Sequence, residues 1–188
     1  MSRVVIEGNA SGTGNFTIAA PNSNTDRTLT LPDVAGTVLT SGSNADFPTG
    51  SVLQVVQGST STELLLSTGT ETDTGLSASI TPLSTSSKIL VMVSHPTCQT
   101  GNENSGNRIG MKLFRDSTEI MFPIKGIGYT ATTVRDRASI NFNYLDSPNT
   151  TSAVTYKTKA WNQQGNVDSI ILQINSSTST IVLMEIAG

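Results

Sequence analysis

The sequence predicts an all-β chain in two parts, a thin N-terminal segment followed by a β-sandwich head. Three observations lead there. Short apolar runs recur along residues 47–188 with turn formers between them. Ser and Thr supply 24 and 28 of the 188 residues, an alphabet of strands and turns with few strong helix formers. No stretch carries a sustained helical period of apolar residues.

Residues 1–46 are poor in large apolar side chains. Short alternating pieces stand out at Val4-Val5-Ile6, 15–19 (NFTIA), 28–31 (TLTL) and 37–40 (TVLT), with GNASGTG, APNSNTD and PDVAG between them. Within TLTLPDVAGTVLT, residues Leu29, Leu31, Val34, Val38 and Leu39 form an apolar set that one copy of the segment cannot bury. An isolated hairpin is marginal in water, and open strand edges recruit other chains. Three copies wound about one axis would bury that set and close the edges. The expectation is an intertwined β stalk, ordered as a trimer, that also docks the protein.

The boundary falls at 41–48 (SGSNADFP), which leaves 47–188 as the head. Its expected strands are SVLQVVQ (51–57), ELLLS (63–67), GLSASITP (75–82), KILVMVS (88–94), RIGMKLF (108–114), ASINFNYL (138–145), VTYKTKAW (154–161), SIILQIN (169–175) and TIVLMEIA (180–187). TGTETDTG, LSTSS, CQTGNENSGN, DSPNTTS, NQQGN and NSSTS separate them. Only KGIGYTATTVRDR (125–137) invites a helical reading, and Gly126 and Gly128 argue against it. So many strands at short spacing point to a sandwich or barrel, in a segment long enough for its own core.

Charge excludes several classes of function. Charged residues make up 13% of the chain and the net charge is −3. That offers no electrostatic grip on nucleic acid or on an anionic membrane. The opening MSRVVIEGNA has no long apolar stretch, and no run approaches the roughly 18 apolar residues of a membrane helix. Synthesis in a host cytoplasm without an export signal is the expectation. A single cysteine, Cys98, excludes an intrachain disulfide framework.

Catalytic patterns are sparse. His95 is the one histidine, so any Ser-His-Asp or Cys-His site must use it. Its spacing from Cys98 suits two metal ligands, but the chain has no second pair of soft ligands. The plainer reading is a strand end with both residues half-buried and a bend at Pro96. Glu71 with Asp73, Asp116 with Glu119, and Asp136 are the carboxylates open to a glycosidase reading. All lie in turn-like text and read as solvated loops. Asp116, Asp146 and Asp168 offer hard oxygen ligands without a calcium-loop pattern. GTG (12–14) and GIG (126–128) lack the strand-to-helix setting of a phosphate loop. Sequons at Asn9, Asn15, Asn149 and Asn175 are what a Ser/Thr-rich chain produces by chance. Lys112, Arg115, Arg135 and Arg137 lie near acidic residues and read as ion pairs or solvated turns. No catalytic residue, metal or cofactor is expected.

Binding is the better prospect. Sugar recognition favours an aromatic platform beside amides and hydroxyls. WNQQGN supplies Trp161, Asn162, Gln163 and Gln164, and KGIGYTATT supplies Tyr129. The competing reading has Trp161 ending a strand and packing in the core or between subunits.

The stretch GTGNFTIAAPNSNTDRTLTLPDVAGTVLTSG (12–42) resembles a segment of bacteriophage tail-fibre and virion structural proteins. The head is similar to the module that follows it there. The carrying pieces are GSVLQVVQ (50–57), DTGLSASITPLSTSSKILVMVS (73–94), Leu113-Phe114-Arg115-Asp116, FNYLDSPNTTSAVTYK (142–157) and IVLMEIAG (181–188). The resemblance implies a homotrimeric jelly roll of the tumour-necrosis-factor type and residence in the virion. It implies a short fibre or spike, docked on other phage virion proteins through residues 1–46, with its head displayed towards a host-surface glycan or protein. A capsid decoration or cement protein is the alternative of the same class. A small glycan-degrading enzyme is the rival from another class, disfavoured by the missing acid–base pair.

Overall fold

A computed structural model describes residues 47–188 apart from 68, 102–106, 129–134 and 164–168, together with 11–14, 17, 24–26, 28 and 35. The chain divides into two compact units, Met1–Val38 and Leu39–Gly188. Leu29, Leu31, Val34, Val38 and Leu39, the expected stalk core, lie outside the described residues.

Among the described residues of the second unit, regular structure is β apart from one short 3-10 turn at Ile174–Ser176. Its strands are β1 (Val52–Thr60), β2 (Leu64–Leu66), β3 (Thr72–Ile80), β4 (Lys88–Thr100), β5 (Ile109–Arg115), β6 (Thr118–Ile127), β7 (Arg137–Asp146), β8 (Val154–Asn162), β9 (Ile170–Leu172) and β10 (Ser179–Ile186).

Their pairing is nested. The first long strand pairs with the last, β1 with β10. Moving inward, β3 pairs with β8, β4 with β7 and β5 with β6, all antiparallel. This is one long hairpin rolled over on itself. The roll closes where β10 pairs with β4 and β5 pairs with β8. Two four-stranded sheets result, β1-β10-β4-β7 and β3-β8-β5-β6, which is the jelly-roll arrangement. The short pair β2 and β9 extends the first sheet beyond β10, against the last residues of β4.

Alternation explains the layers. Along β3 and most of β8 every second residue is buried, so Leu76, Ala78 and Ile80 lie beside Val154 and Tyr156 on one inner face. Ile89, Val91 and Val93 of β4 and Ile181 and Leu183 of β10 close it from the other sheet. Further along the strands Cys98, Ile109, Met111, Ile140, Ala160, Ile170 and Leu172 continue the filling. Each residue faces inward because the strand pleat puts neighbours on opposite sides. The sheets are also clamped by charge. The Asp146 carboxylate on β7 accepts from Arg115 on β5 and from the Tyr156 hydroxyl on β8, both at 2.7 Å.

Two sequence expectations need correction. β6 was not among the expected strands. Pro123 interrupts its text, and three register shifts against β5 break its alternation. Proline is tolerated there because β6 is the outer strand of its sheet and needs no ladder partner on that side. The second correction concerns His95 and Pro96. β4 does not end or turn there but runs on to Thr100, absorbing Pro96 in a register shift between His95 and Cys98. His95 and Cys98 are both wholly buried rather than half-buried.

Candidate functional site

The jelly roll gives the head two unlike ends. At one, the chain enters along the terminal residues of the same unit. The Gly50 N–H donates to the Ala187 carbonyl, and the Ala187 N–H donates to the Ser51 carbonyl, each at 2.8 Å. Glu185, wholly buried, ties this end together. It accepts from the Leu83 N–H at 2.7 Å and from Gln54 Nε2 at 2.5 Å. A buried carboxylate demands such donors, so this end is built to hold its shape.

The opposite end gathers the connections between β2 and β3, β4 and β5, β6 and β7, and β8 and β9. Their flanks are stitched together by main-chain and side-chain bonds. The Thr100 N–H donates to the Asp136 carbonyl at 2.9 Å, and the Asp136 N–H returns to Thr100 Oγ1 at 3.1 Å. The Gln163 N–H donates to the Arg108 carbonyl at 2.9 Å. Arg137 Nε donates to Gln99 Oε1 at 2.7 Å, and Asn162 Nδ2 donates to Asn107 Oδ1 at 3.0 Å. Gln163 is exposed here. Tyr129 and Gln164 lie outside the described residues, but Gly126, from the stretch that contains Tyr129, lies against the Gln163 side chain. The topology thus brings two stretches, singled out separately in the sequence, to one end of the molecule.

Trp161 and Asn162 are placed otherwise. Trp161 is 9% exposed and Asn162 is fully buried. Trp161 sits on the outer side of the β3-β8-β5-β6 sheet, opposite Gly110 in register. A side-chain carbon on Gly110 would come within 2.4 Å of the indole, so the ring lies where only glycine leaves room. Phe122 covers it at a centroid separation of 5.4 Å. Lys112 Nζ lies 5.4 Å from the indole and 5.1 Å from the Phe122 ring. The same ammonium binds Glu71 at 2.5 Å and Glu119 at 2.8 Å. Trp161 is therefore packed under its neighbours, as the competing sequence reading had it, and does not stand out as a platform.

That ammonium also answers the question of paired carboxylates. The pairs suggested by sequence proximity do not form. Asp73 binds Lys157 at 3.1 Å, and the Asp116 carboxylate accepts from the Thr155 N–H at 2.9 Å. Glu71 and Glu119 do meet, both on the Lys112 ammonium.

The His95 imidazole occupies a polar pocket inside the sandwich. Its Nδ1 accepts from Gln173 Nε2 at 3.1 Å and lies 2.9 Å from Ser179 Oγ. Its Nε2 donates to Thr158 Oγ1 at 3.1 Å, and that hydroxyl meets Thr74 Oγ1 at 2.6 Å. Burial holds the imidazole at about 4, below its usual 6.5. A serine and a histidine thus stand within hydrogen-bond reach. Both are wholly enclosed, and the ring nitrogen opposite the serine, where a triad would place a carboxylate, faces the Thr158 hydroxyl instead. The Cys98 thiol, driven up to about 12 by burial, stays protonated and is no thiolate ligand. No group of three or more His, Cys, Asp or Glu side chains able to hold a metal occurs among the described residues. Asp168 is outside them. Gln173 and Ser179 went unnoticed in the sequence because they lie 78 and 84 residues from His95.

Two hollows among the described residues are small. One of about 120 Å³ lies beside Asp73, Gly75 and Lys157, and one of about 60 Å³ beside Phe47, Ser86 and Ala187. Pockets for small molecules usually enclose about 300 Å³ or more. Among the described residues no helix is long and apolar enough to cross a membrane.

No protein-family model matches the chain, and no curated protein matches it. Among solved structures it is similar to that of the infectious bursal disease virus Gx strain, at 11% identity and a TM-score of 0.44, covering 82% of this chain. It is also similar to the D431N mutant VP2 protein of infectious bursal disease virus in derived T=1 particles. There the identity is 11%, the TM-score 0.35 and the coverage 73% of this chain. In both cases the match spans 37% of the other chain. The jelly-roll arrangement rests on the strand pairing within this chain.

Proposed function

We propose that the protein is a non-enzymatic virion structural component, a homotrimeric short fibre or spike. Residues 1–46 dock it on other virion proteins, and the jelly-roll head is displayed outward for binding to a host-surface glycan or protein. One observation carries this reading, the polarity of the head. The chain joins it at the end braced by Gly50, Ala187 and Glu185. The connections around Asn107, Asp136 and Gln163 leave from the other. A tether at one end and a cluster of connections at the other is what a displayed module needs. Loops on a rigid scaffold are where binding residues gather. Three weak sites on one trimer would combine by avidity.

The test is binding of labelled full-length protein to bacterial cells and to their purified surface polysaccharides. Binding lost on Gln163→Ala with Asp136→Ala, and kept when Ser84 is changed at the opposite end, is the expected result. Binding to isolated capsid shells and to no cell would replace host contact by shell decoration. New reducing ends released from capsular or lipopolysaccharide sugars would overturn the non-enzymatic reading.

A further inference from the structure

We propose that the outer face of the β1-β10-β4-β7 sheet is the surface through which this chain binds a second copy of itself. The proposal rests on the oligomeric part of the function above and not on host binding.

The face is read directly from the register. Val55, Met184, Leu90 and Leu145 are successive partners across all four strands, one unbroken apolar row. Val182 and Met92 sit side by side in the next row, between Gln57 and Asn143. On the other side Val52 meets Ile186, which meets Lys88. Beyond the polar row lie Ser59, Thr180, Ser94 and Asn141. Val52, Val55 and Leu145 are 53%, 55% and 50% exposed. The other apolar members are half-buried by one another.

Two arguments identify the occupant. The first is charge. Lys88 is the single charged residue in these rows, and it stands at their rim. A face without charge has nothing to offer a strongly acidic or basic partner, and it meets its own copy without repulsion. On the opposite outer face Lys112 and Lys157 already hold Glu71, Glu119 and Asp73 within one chain, so that face has its partners without a second copy. The second is area. Four strands about 4.8 Å apart and about seven residues long at about 3.4 Å each present roughly 450 Å² seen flat. That is about half of the roughly 800 Å² per partner that a stable complex buries, so it would form the central part of an interface that extends past it. Around a three-fold axis each copy would lay this face against a different patch of its neighbour, and methionine adjusts to whatever shape arrives.

The test uses the full chain. Light scattering along a dilution series gives its mass, 19.7 kDa for one chain and about three times that for a trimer. The variant carries Val55→Lys with Leu145→Lys, both solvent-exposed in a single copy. An oligomer for the natural sequence, with self-association weakened by roughly a hundredfold or more in the variant, is expected, because unpaired charge would be buried. An oligomer whose mass the two lysines leave unchanged overturns this surface and leaves the trimeric reading standing. A monomer at every concentration overturns both. Should the variant fail to fold, peroxide oxidation of Met92 and Met184 in the natural protein decides. Protection that fades on dilution supports the proposal. Oxidation that does not depend on concentration overturns it, and protection in a monomer would assign the face to the chain's own N-terminal segment.

Discussion

The two outer faces of the head share a backbone plan and differ in nearly everything else. Outside the β3-β8-β5-β6 sheet, Lys112 holds Glu71 and Glu119 and lies beside Phe122 and Trp161. Lys157 holds Asp73, and Lys159 lies over Phe114. Every large ring there has a neighbour. Outside the β1-β10-β4-β7 sheet, Val55, Met184, Leu90 and Leu145 lie in register with rows beside them charged only at Lys88, and half of Val55 and Leu145 is open to water. The first face satisfies itself within one chain, whereas the second gains from a partner. Strand alternation alone makes both, since it dictates which residues point out and is silent about what they meet.

Substitutions should separate the two faces by what they disturb. The largest expected effect is Trp161→Ala, which empties a covered ring site and should lower the unfolding free energy by about 3–5 kcal/mol in urea. A loss below about 1 kcal/mol would mean that the indole is not a packed part of its face.

Next comes acid, which acts between the faces. His95 is held neutral, with a folded value of about 4 against 6.5 for the exposed group. The unfolded chain therefore takes up the proton first. Stability is full above pH 6.5, declines as the pH falls towards 4 and is level below that, a loss of about 3 kcal/mol from this group. His95→Gln should flatten that segment of the stability–pH curve. An unchanged slope would assign the acid sensitivity elsewhere.

Gly110→Ala should cost less, about 1–3 kcal/mol, because Phe122 and the indole can shift to admit one methyl group. Its mark is a change in tryptophan fluorescence, which a Gly→Ala change away from the indole, such as Gly50→Ala, would not produce. The smallest effect on folding belongs to Val55→Lys on the other face, within about 0.5 kcal/mol for a single chain. Its consequence should appear in association instead. A destabilisation as large as that of Trp161→Ala would erase the distinction between the faces.

Much of the fold was legible. Nine of the ten strands were visible as alternating or apolar runs between turn formers, and β6 was lost to Pro123 and to its bulges. The site was less so. Trp161, the most conspicuous residue in WNQQGN, turned out to be covered, because Gly110 on the neighbouring strand makes a seat for it. The Glu71–Lys112–Glu119 cluster joins three strands or their flanks and left no local signal. The same holds for His95, whose partners Thr158, Gln173 and Ser179 come from three distant stretches.

By itself the sequence determined the all-β class, the positions of most strands and the inward side of each. These follow from composition, turn residues and a period of two, all of which act between near neighbours along the chain. Only the tertiary structure decided that the strands nest as one rolled hairpin. It also decided that Gln163 meets Gly126 of a separate stretch, and that Val55, Met184, Leu90 and Leu145 form one row. Pairing between strands far apart in sequence is set by the sum of many contacts across the sandwich, and no single stretch contains that sum.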